Sequence, residues 1–260
     1  MEKKKNILVV CKYQKDSQEA RVCQIVRPAG FNVRYNWKNT LMEKDIKNVD
    51  VVISIGGDGT ALSASHFIRN IPLLAVNSNN KKSEGALTTL EVDSLEKSLV
   101  KIVAGNYQVE KLERIEAEIN GKKQNLLALN EIFIASEKAY LISKYKIKIV
   151  GGGSKVEEEQ LSSGLIFSTG TGSTAWFKSA GGEPFSPQAR HIKMIVREPY
   201  FGRLIRFSLL KKNIEEEDFV EIVPLKGSVL AIDSIREFKL KEGDKIKINI
   251  SKWPLLRIII

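Results

Sequence analysis

Three short runs of apolar residues constrain the fold of the first part of the chain most strongly. Residues 7–11 (ILVVC), 50–55 (DVVISI) and 72–76 (PLLAV) are almost uninterrupted and rich in β-branched side chains. A strand is continuously apolar when both of its faces are buried, as in a parallel sheet covered by helices. Residues 61–68, between the second and third runs, lack Gly and Pro and suit a helix. The pattern predicts a doubly wound α/β layer over about the first 90 residues.

The pattern changes after Gly105. Residues 92–103 still carry apolar residues at helical spacing, but later runs are short, often alternating and separated by turn residues. These features are typical of antiparallel β structure. The expected strands lie within residues 107–119, 126–135, 144–150, 164–168, 191–196, 219–223, 229–232 and 245–250.

This change divides the chain into two predicted domains, an α/β domain over residues 1–105 and a mainly β domain over residues 106–260. Residues 258–260 predict a strand-like tail that packs on one of the two sheets and can return to the first domain. The acidic residues 157–159, which follow three glycines, predict a mobile surface loop.

Composition excludes several classes of protein. With 43% apolar and 28% charged residues, the chain is neither disordered, collagen-like nor membrane-spanning as a whole. Residues 7–10 are too short an apolar run for a signal peptide or a membrane span, so we expect a cytoplasmic protein. Cys11 and Cys23 cannot build a disulfide framework or a four-cysteine zinc site. The net charge of +10 attracts anions but does not select among them.

The sequence GGDGT, residues 56–60, follows the second apolar run and opens the predicted helix. Open α/β sheets bind ligands at this position, and glycines let the backbone approach a phosphate or a sugar closely. A carboxylate beside a phosphate suggests a general base, so Asp58 could accept the proton of a hydroxyl that attacks the phosphate. The alternative is a structural Asp58 that only caps the helix. The chain has no Walker A lysine motif, so a P-loop does not hold ATP here.

A second segment rich in Ser, Thr and Gly covers residues 163–176 (SGLIFSTGTGSTAW) and continues to residues 179–182 (SAGG). Residues 170–175 match the dinucleotide fingerprint G-x-G-x-x-A, but the acidic residue expected about twenty positions later is absent, since residues 188–191 are QARH. Hydroxyls and free backbone N–H groups can still bind a nucleotide without adding charge. The alternative is a structural loop of small residues.

These motifs resemble those of NAD kinases. GGDGT is shared by NAD kinases and by the diacylglycerol and sphingosine lipid kinases, whereas the second segment is similar to the TPTGSTAY and SAGG motifs of NAD kinases. Between them, Asn130 and Glu131 at the start of an apolar strand resemble the family's NE motif. Residues 231–233 (AID) resemble a later Ile-Asp-Gly turn, so the resemblance extends from Ile7 to Asp233. In motif details the chain is most similar to the divergent, mitochondrial-type branch.

The resemblance implies a Rossmann-like parallel-sheet α/β N-terminal domain, an all-β C-terminal domain and a site in the cleft between them. It implies an NAD kinase that phosphorylates the 2′-hydroxyl of the adenosine ribose of NAD with ATP or polyphosphate, and Asp58 would deprotonate that hydroxyl. The residues implied to bind the dinucleotide are Gly57, Asp58, Gly59, Asn130, Glu131, Thr171, Thr174, Ala175, Trp176 and Ser179.

The same resemblance gives expectations for cofactors and partners. Mg²⁺ is expected, bound mainly through the donor phosphates, because phosphoryl transfer requires charge neutralisation. No dedicated cluster of metal ligands is visible in the sequence. The expected partners are NAD(H), a phosphoryl donor and further copies of the chain in a homo-oligomer, with no role for nucleic acid or a membrane.

Several positions depart from the family pattern and keep alternatives open. They are Gly170 for Pro, Trp176 for Tyr, Ser163 for Asp, Ser234 for Gly and Ala86 for an aromatic residue. The change at Ser163 leaves the preference between NAD and NADH open. A lipid kinase is one alternative, suggested by GGDGT and the basic charge, although the NE-like and TGSTAW segments argue against it. A catalytically idle dinucleotide sensor is another, although retention of Asp58 argues against it.

Overall fold

A computed structural model describes residues 4–12, 24–26, 31–78, 85–203 and 206–260, so Cys23 lies outside the described residues. The chain forms two compact units. The first comprises Met1–Lys111 together with Pro254–Ile260, and the second comprises Leu112–Trp253. The chain therefore leaves the first unit, builds the second and returns.

The first unit is built on a seven-stranded sheet. Its strands are β1 (Asn6–Cys11), β2 (Asn32–Trp37), β3 (Val51–Gly56), β4 (Leu73–Asn77), β5 (Leu90–Glu91), β6 (Gln108–Leu112) and β19 (Leu255–Ile259). Their spatial order is β2-β1-β3-β4-β19-β6, and β5 also pairs with β4. In this order, each neighbouring pair of strands from β2 through β19 is parallel, and so is the β4–β5 pair. The three apolar runs form β1, β3 and β4, which confirms the predicted parallel sheet.

Helices α1 (Asp58–Ser65) and α2 (Leu95–Val103) belong to the described part of this unit. Helix α1 packs on β3 and β4, and its small Ala and Ser side chains are buried there. In α2 the apolar residues recur at helical spacing, so that Leu95, Leu99 and Ile102 join the core formed by the sheet. Short 3-10 helices cover Glu43–Ile46 and Val92–Ser94. The helices in the described part of the chain include none with the length and hydropathy of a membrane span.

The second unit contains two six-stranded antiparallel sheets, which confirms the predicted β-rich part of the chain. The order in one sheet is β11 (Ser154–Ser162), β10 (Ser143–Gly151), β15 (Phe219–Pro224), β18 (Ile246–Ile250), β7 (Ile115–Ile119) and β8 (Lys122–Lys123). The order in the other is β14 (Lys211–Ile214), β13 (Ile192–Arg197), β12 (Gly164–Ser168), β9 (Glu131–Ser136), β16 (Ser228–Ile232) and β17 (Arg236–Leu240).

Both sheets of the second unit contribute to one apolar core. Ile147 and Ile248 come from the first sheet, and Phe167 and Leu230 come from the second. Along β10, β16 and β18 buried and partly exposed positions alternate, because successive side chains point to opposite faces, whereas β12 is buried throughout. A short helix, α3 (Trp176–Ser179), and a 3-10 turn, Gly172–Thr174, follow β12.

The predicted mobile loop at residues 157–159 is wrong, because these glutamates lie within β11. The strand pairs with the lysine-bearing strand β10, so the acidic side chains have basic neighbours across the sheet. Lys144 Nζ lies 2.8 Å from Glu159 Oε1. Charge pairing between the two strands therefore stabilises β11, although its run of glutamates does not resemble a strand in the sequence.

Strand β19 provides a test of the first unit's core. Replacing Ile258, which is 0% exposed, by Ala should lower the free energy of unfolding by about 2–4 kcal/mol, because apolar contacts are lost and a cavity remains. Ile260→Ala is the matched control, since Ile260 is 36% exposed and its loss should cost less than about 0.5 kcal/mol. Urea unfolding of the full chain measures both variants. Equal destabilisation would contradict the burial of β19.

Candidate functional site

The GGDGT segment connects β3 to α1. Strand β3 ends at Gly56, Gly57 is the N-cap, and α1 begins at Asp58. Gly56 has φ +153°, and a Cβ atom there would lie 2.3 Å from the hydroxyl oxygen of Thr60, so only glycine fits the turn. Since β1 pairs with β2 on one side and β3 on the other, this turn leaves the sheet where the strand order reverses. Doubly wound sheets bind ligands at such a point.

The carboxylate of Asp58 has a defined orientation. Its Oδ2 accepts the backbone N–H of Ala86 at 3.0 Å, and its Oδ1 accepts that of Leu87 at 2.9 Å. These donors belong to the segment after β4, so Asp58 joins two neighbouring connections rather than capping α1. Gly59, beside it, is exposed and has no described atom within 4 Å of an added Cβ. Space for a ligand group therefore adjoins an oriented carboxylate.

In the second unit, the NE-like pair stands at the start of β9. Asn130 precedes the strand and Glu131 is its first residue. The carboxylate of Asp233 accepts three consecutive backbone N–H groups, from Leu129 at 2.9 Å, Asn130 at 2.8 Å and Glu131 at 3.0 Å. Asp233 lies in the turn after β16, and β16 pairs with β9. This buried carboxylate fixes the backbone that presents Asn130 and Glu131.

Glu131 is itself buried, with 4% exposure. Burial is the main reason that its pKa rises from 4.5 to about 7, and repulsion from the Asp233 carboxylate adds to the rise. The hydroxyl of Ser234 donates to Glu131 Oε1 at 3.2 Å and acts in the opposite direction, because it stabilises the charged form. Glu131 therefore changes protonation close to neutral pH.

The segment after β12 packs against the NE-like pair. The backbone N–H of Thr169 donates to Asn130 O at 3.0 Å, and the Thr169 hydroxyl donates to Leu129 O at 2.5 Å. The N–H of Gly172 in turn donates to the Thr169 hydroxyl at 3.1 Å. A Cβ atom at Gly172 would lie 2.2 Å from Asn130 O, so a side chain there would displace the motif. The two motifs of the second unit are thus interlocked by their backbones.

The remaining predicted binding residues of this segment differ in exposure. Thr174, Ala175 and Ser179 are exposed, whereas Trp176 is half-buried. The Trp176 ring lies 4.5 Å from the Phe133 ring, and the Arg197 guanidinium lies 5.3 Å from the Trp176 centroid. Trp176, at the start of α3, is therefore held by side chains of β9 and β13.

Thr171 and Gly170, on the same segment, have unusual local environments. The hydroxyl oxygen of Thr171 is buried and has no hydrogen-bond partner among the described residues. A buried hydroxyl without a protein partner is uncommon in proteins, so Thr171 is a candidate for a hydrogen bond to a ligand. At Gly170, a Cβ atom would lie 1.9 Å from Ser186 O, which explains why this chain has glycine there.

The predicted residues thus form two groups. Gly57, Asp58 and Gly59 lie together in the first unit. The other seven lie in the second unit, at the start of β9 and in the segment that follows β12. The sequence did not reveal the three bonds made by Asp233, although residues 231–233 belonged to a recognised motif. It also did not reveal the Ala86 and Leu87 donors. Among the described residues, no group of three or more His, Cys, Asp or Glu side chains could hold a metal ion.

Comparisons with known proteins match both units of the chain to the same family. The family model for the ATP-NAD kinase N-terminal domain matches residues 2–107, and that for the C-terminal domain matches residues 129–258. A probable NADH kinase from Oryza sativa subsp. japonica is 30% identical over 239 residues, which cover 84% of this chain and 73% of that protein. An NAD kinase from Thermoplasma volcanium is 29% identical over 214 residues, covering 80% of this chain and 74% of that protein.

Solved structures of other proteins share the fold. An NAD kinase from Archaeoglobus fulgidus, crystallised in complex with ATP, has a TM-score of 0.76 at 24% identity and covers 97% of this chain and 92% of its own. Yeast NADH kinase complexed with NADH has a TM-score of 0.82 at 19% identity and covers 99% of this chain and 84% of its own. At these identities the likeness extends to the fold alone.

Glu131 gives a pH-dependent prediction. Its pKa is about 7 in the folded protein and 4.5 for the ordinary side chain, so the folded state binds the proton more tightly. Stability contributed by protonated Glu131 should therefore fall as pH rises from about 4.5 to 7, by about 2–3 kcal/mol. Glu131→Gln should lose this dependence, so that its stability relative to the unchanged protein rises over that range. Urea unfolding between pH 5 and 8 measures the difference.

Glu137→Gln, at an exposed position just after β9, is the control for that experiment. Its stability relative to the unchanged protein should stay flat across the same pH range. A constant difference between Glu131→Gln and the unchanged protein would show that Glu131 ionises normally.

Proposed function

The chain belongs to the NAD kinase family and is a phosphotransferase of that family, and we propose that it phosphorylates the 2′-hydroxyl of the adenosine ribose of NAD with Asp58 as the general base. The observation that most directly supports this proposal is the orientation of the Asp58 carboxylate. Both oxygens are held by backbone N–H groups, and each oxygen keeps a second lone-pair direction for a substrate hydroxyl.

The proposed reaction requires one proton transfer and one displacement. Asp58 accepts the proton of the 2′-hydroxyl as its oxygen attacks the terminal phosphorus of the donor. A new bond forms between the ribose oxygen and phosphorus, and the bond to the leaving phosphate oxygen breaks. With ATP the products are NADP and ADP. The Archaeoglobus relative crystallised with ATP supports ATP as donor, and polyphosphate is the alternative.

Mg²⁺ fits this proposal as a companion of the donor phosphates. The described residues contain no cluster of carboxylates, cysteines or histidines dedicated to a metal, so the phosphates would supply most of its ligands. When bound, Mg²⁺ would neutralise charge on the transferred group. The role of the protein's own residues is to orient the attacking hydroxyl and to accept its proton at Asp58.

In the second unit, we assign dinucleotide binding to the segment around β9 and β12. The unpartnered hydroxyl of Thr171 is available for a hydrogen bond to the ligand. Asn130 and Glu131 stand on a backbone that Asp233 holds rigid. Exposed Thr174, Ala175 and Ser179 leave polar groups accessible along the same segment. Trp176, backed by neighbouring side chains, offers a fixed aromatic surface.

The other features of the proposal rest on the family resemblance and, for the cytoplasmic location, on the short apolar run at residues 7–10. These are a homo-oligomer, a cytoplasmic location and the absence of nucleic acid and membrane partners. Family membership argues against the lipid kinase alternative, and the oriented carboxylate argues against an idle sensor.

The direct test is formation of NADP(H), measured with ATP and Mg²⁺ and, separately, with polyphosphate. NAD⁺ and NADH are each offered as acceptor, so that the four combinations identify donor and acceptor together. Product in any combination supports a dinucleotide kinase. Binding of a dinucleotide without product in all four would support the sensor instead.

Asp58→Asn should lower kcat by about 10²–10⁴-fold, because the amide cannot accept the proton. The dissociation constant of the dinucleotide should change less than about tenfold, since binding contacts lie mainly in the second unit. Steady-state kinetics and calorimetry measure the two quantities. Asp93→Asn, in the 3-10 turn before α2, is the control and should retain its kcat. An unchanged kcat in Asp58→Asn would remove Asp58 from the role of base.

Thr171→Val separates ligand binding from stability. The hydroxyl has no protein partner among the described residues, so its removal should leave the free energy of unfolding unchanged or slightly higher. The dissociation constant of the dinucleotide should rise about 5- to 10-fold through the lost hydrogen bond. Thr169→Val is the contrasting variant, because its hydroxyl bonds Leu129 and Gly172 and its loss should cost about 1–3 kcal/mol. Unchanged affinity in Thr171→Val would place Thr171 outside the binding site.

A further inference from the structure

Arg257, on the returning strand β19, makes three hydrogen bonds in the first unit. Its Nε and Nη2 atoms donate to Glu110 Oε2 at 2.8 and 2.5 Å. Its Nη1 atom donates to the carbonyl oxygen of Ala86 at 3.1 Å. The side chains of Arg257 and Glu110 are only 15% and 19% exposed, so the ion pair is largely shielded from water. Glu110 thereby fixes the plane of the guanidinium.

The carbonyl that Arg257 contacts belongs to the peptide bond between Ala86 and Leu87. The N–H at the other end of that same peptide is the one that donates to Asp58 Oδ1 at 2.9 Å. A peptide group is planar, so holding its carbonyl oxygen also sets the direction of its N–H. Hydrogen bonding at the carbonyl also polarises the group and strengthens the bond at its N–H. A continuous path therefore runs from Glu110 through Arg257 and the peptide to Asp58.

The surrounding segment depends on the same strand. The hydroxyl of Thr89 donates to Ile258 O at 3.1 Å, one residue beyond Arg257. Gly85, just before the peptide, has φ +70°, and a Cβ atom there would lie 2.9 Å from Thr88 Oγ1. The turn that delivers the two N–H groups to Asp58 is thus fixed by a glycine conformation and by contacts from β19.

We propose that Arg257 is a positioning residue for Asp58, acting through the Ala86–Leu87 peptide, with Glu110 orienting the guanidinium. This inference rests on the proposed function, in which Asp58 is the base. Under this proposal, the strand that returns to the first unit contributes to catalysis as well as to the sheet. An ion pair that only stabilised the sheet would need the bonds to Glu110 alone, whereas the third donor is directed at the peptide that holds the base.

Arg257→Lys tests the proposal while keeping the charge beside Glu110. An ammonium cannot reproduce three donors in one plane, so the bond to Ala86 should be lost. We expect kcat to fall about 10- to 100-fold, because small displacements of a catalytic group have effects of that size. The dissociation constant of the dinucleotide should change less than threefold. Arg34→Lys is the matched control, since Arg34 Nη2 donates to the carbonyl of Lys47 at 2.6 Å, before the amino end of β3; it should keep its kcat.

A second arm asks whether the loss acts through Asp58. In an Asp58→Asn background, Arg257→Lys should lower the residual kcat less than twofold, because the group it positions is already disabled. An equal loss in both backgrounds, or a kcat that Arg257→Lys leaves within twofold of the unchanged protein, would overturn the proposal.

A third arm does not depend on activity. Amide hydrogen exchange of Leu87 should be at least about tenfold faster in Arg257→Lys than in the unchanged protein and in Arg34→Lys. If the unchanged protein forms no NADP(H) with any donor, the proposed function fails while this exchange measurement still decides whether Arg257 holds the peptide. Unaltered Leu87 exchange would overturn the positioning role.

Discussion

The buried carboxylate of Asp233 sets the backbone path on which the second unit's candidate site depends. It accepts the N–H groups of residues 129–131, which would otherwise be left without partners at the start of β9. With that path fixed, Asn130 O can accept the N–H of Thr169, and Gly172 can pack against Asn130. The segment after β12 therefore takes its position from a carboxylate about sixty residues further along the chain.

Backbone N–H groups that bind a carboxylate recur in the first unit, where Asp58 receives two. In both units a loop after one strand is tied to the start of another element, which orients side chains without requiring particular neighbours. Ala86, which replaces the family's aromatic residue, contributes only its backbone N–H and carbonyl to these contacts, so they do not depend on its side chain. Ser234 keeps the left-handed conformation that suits the family's glycine, with φ +55°, and its hydroxyl adds a bond to Glu131 that glycine could not make.

Sequence patterns predicted those parts of the fold in which burial controls composition. The runs that became β1, β3 and β4 are buried on both faces and therefore continuously apolar. Strand β2 (NVRYNW) was missed because it lies at the sheet edge, where polar residues are tolerated. Strand β11 was missed because cross-strand lysines lie opposite Glu157 and Glu159 and hydrogen-bond donors hold Glu158, so that burial does not set its composition. The Arg257–Ala86 contact joins residues 171 positions apart, and no local pattern encodes it.

The return of Pro254–Ile260 to the first unit also has a consequence for synthesis. Strand β19 lies between β4 and β6, so the sheet of the first unit lacks an interior strand until residues 254–260 have been synthesised. The second unit, formed by a continuous stretch of chain, has all of its strands available earlier. We therefore expect the later-encoded unit to fold first during translation, with the earlier-encoded sheet held open until its final strand arrives.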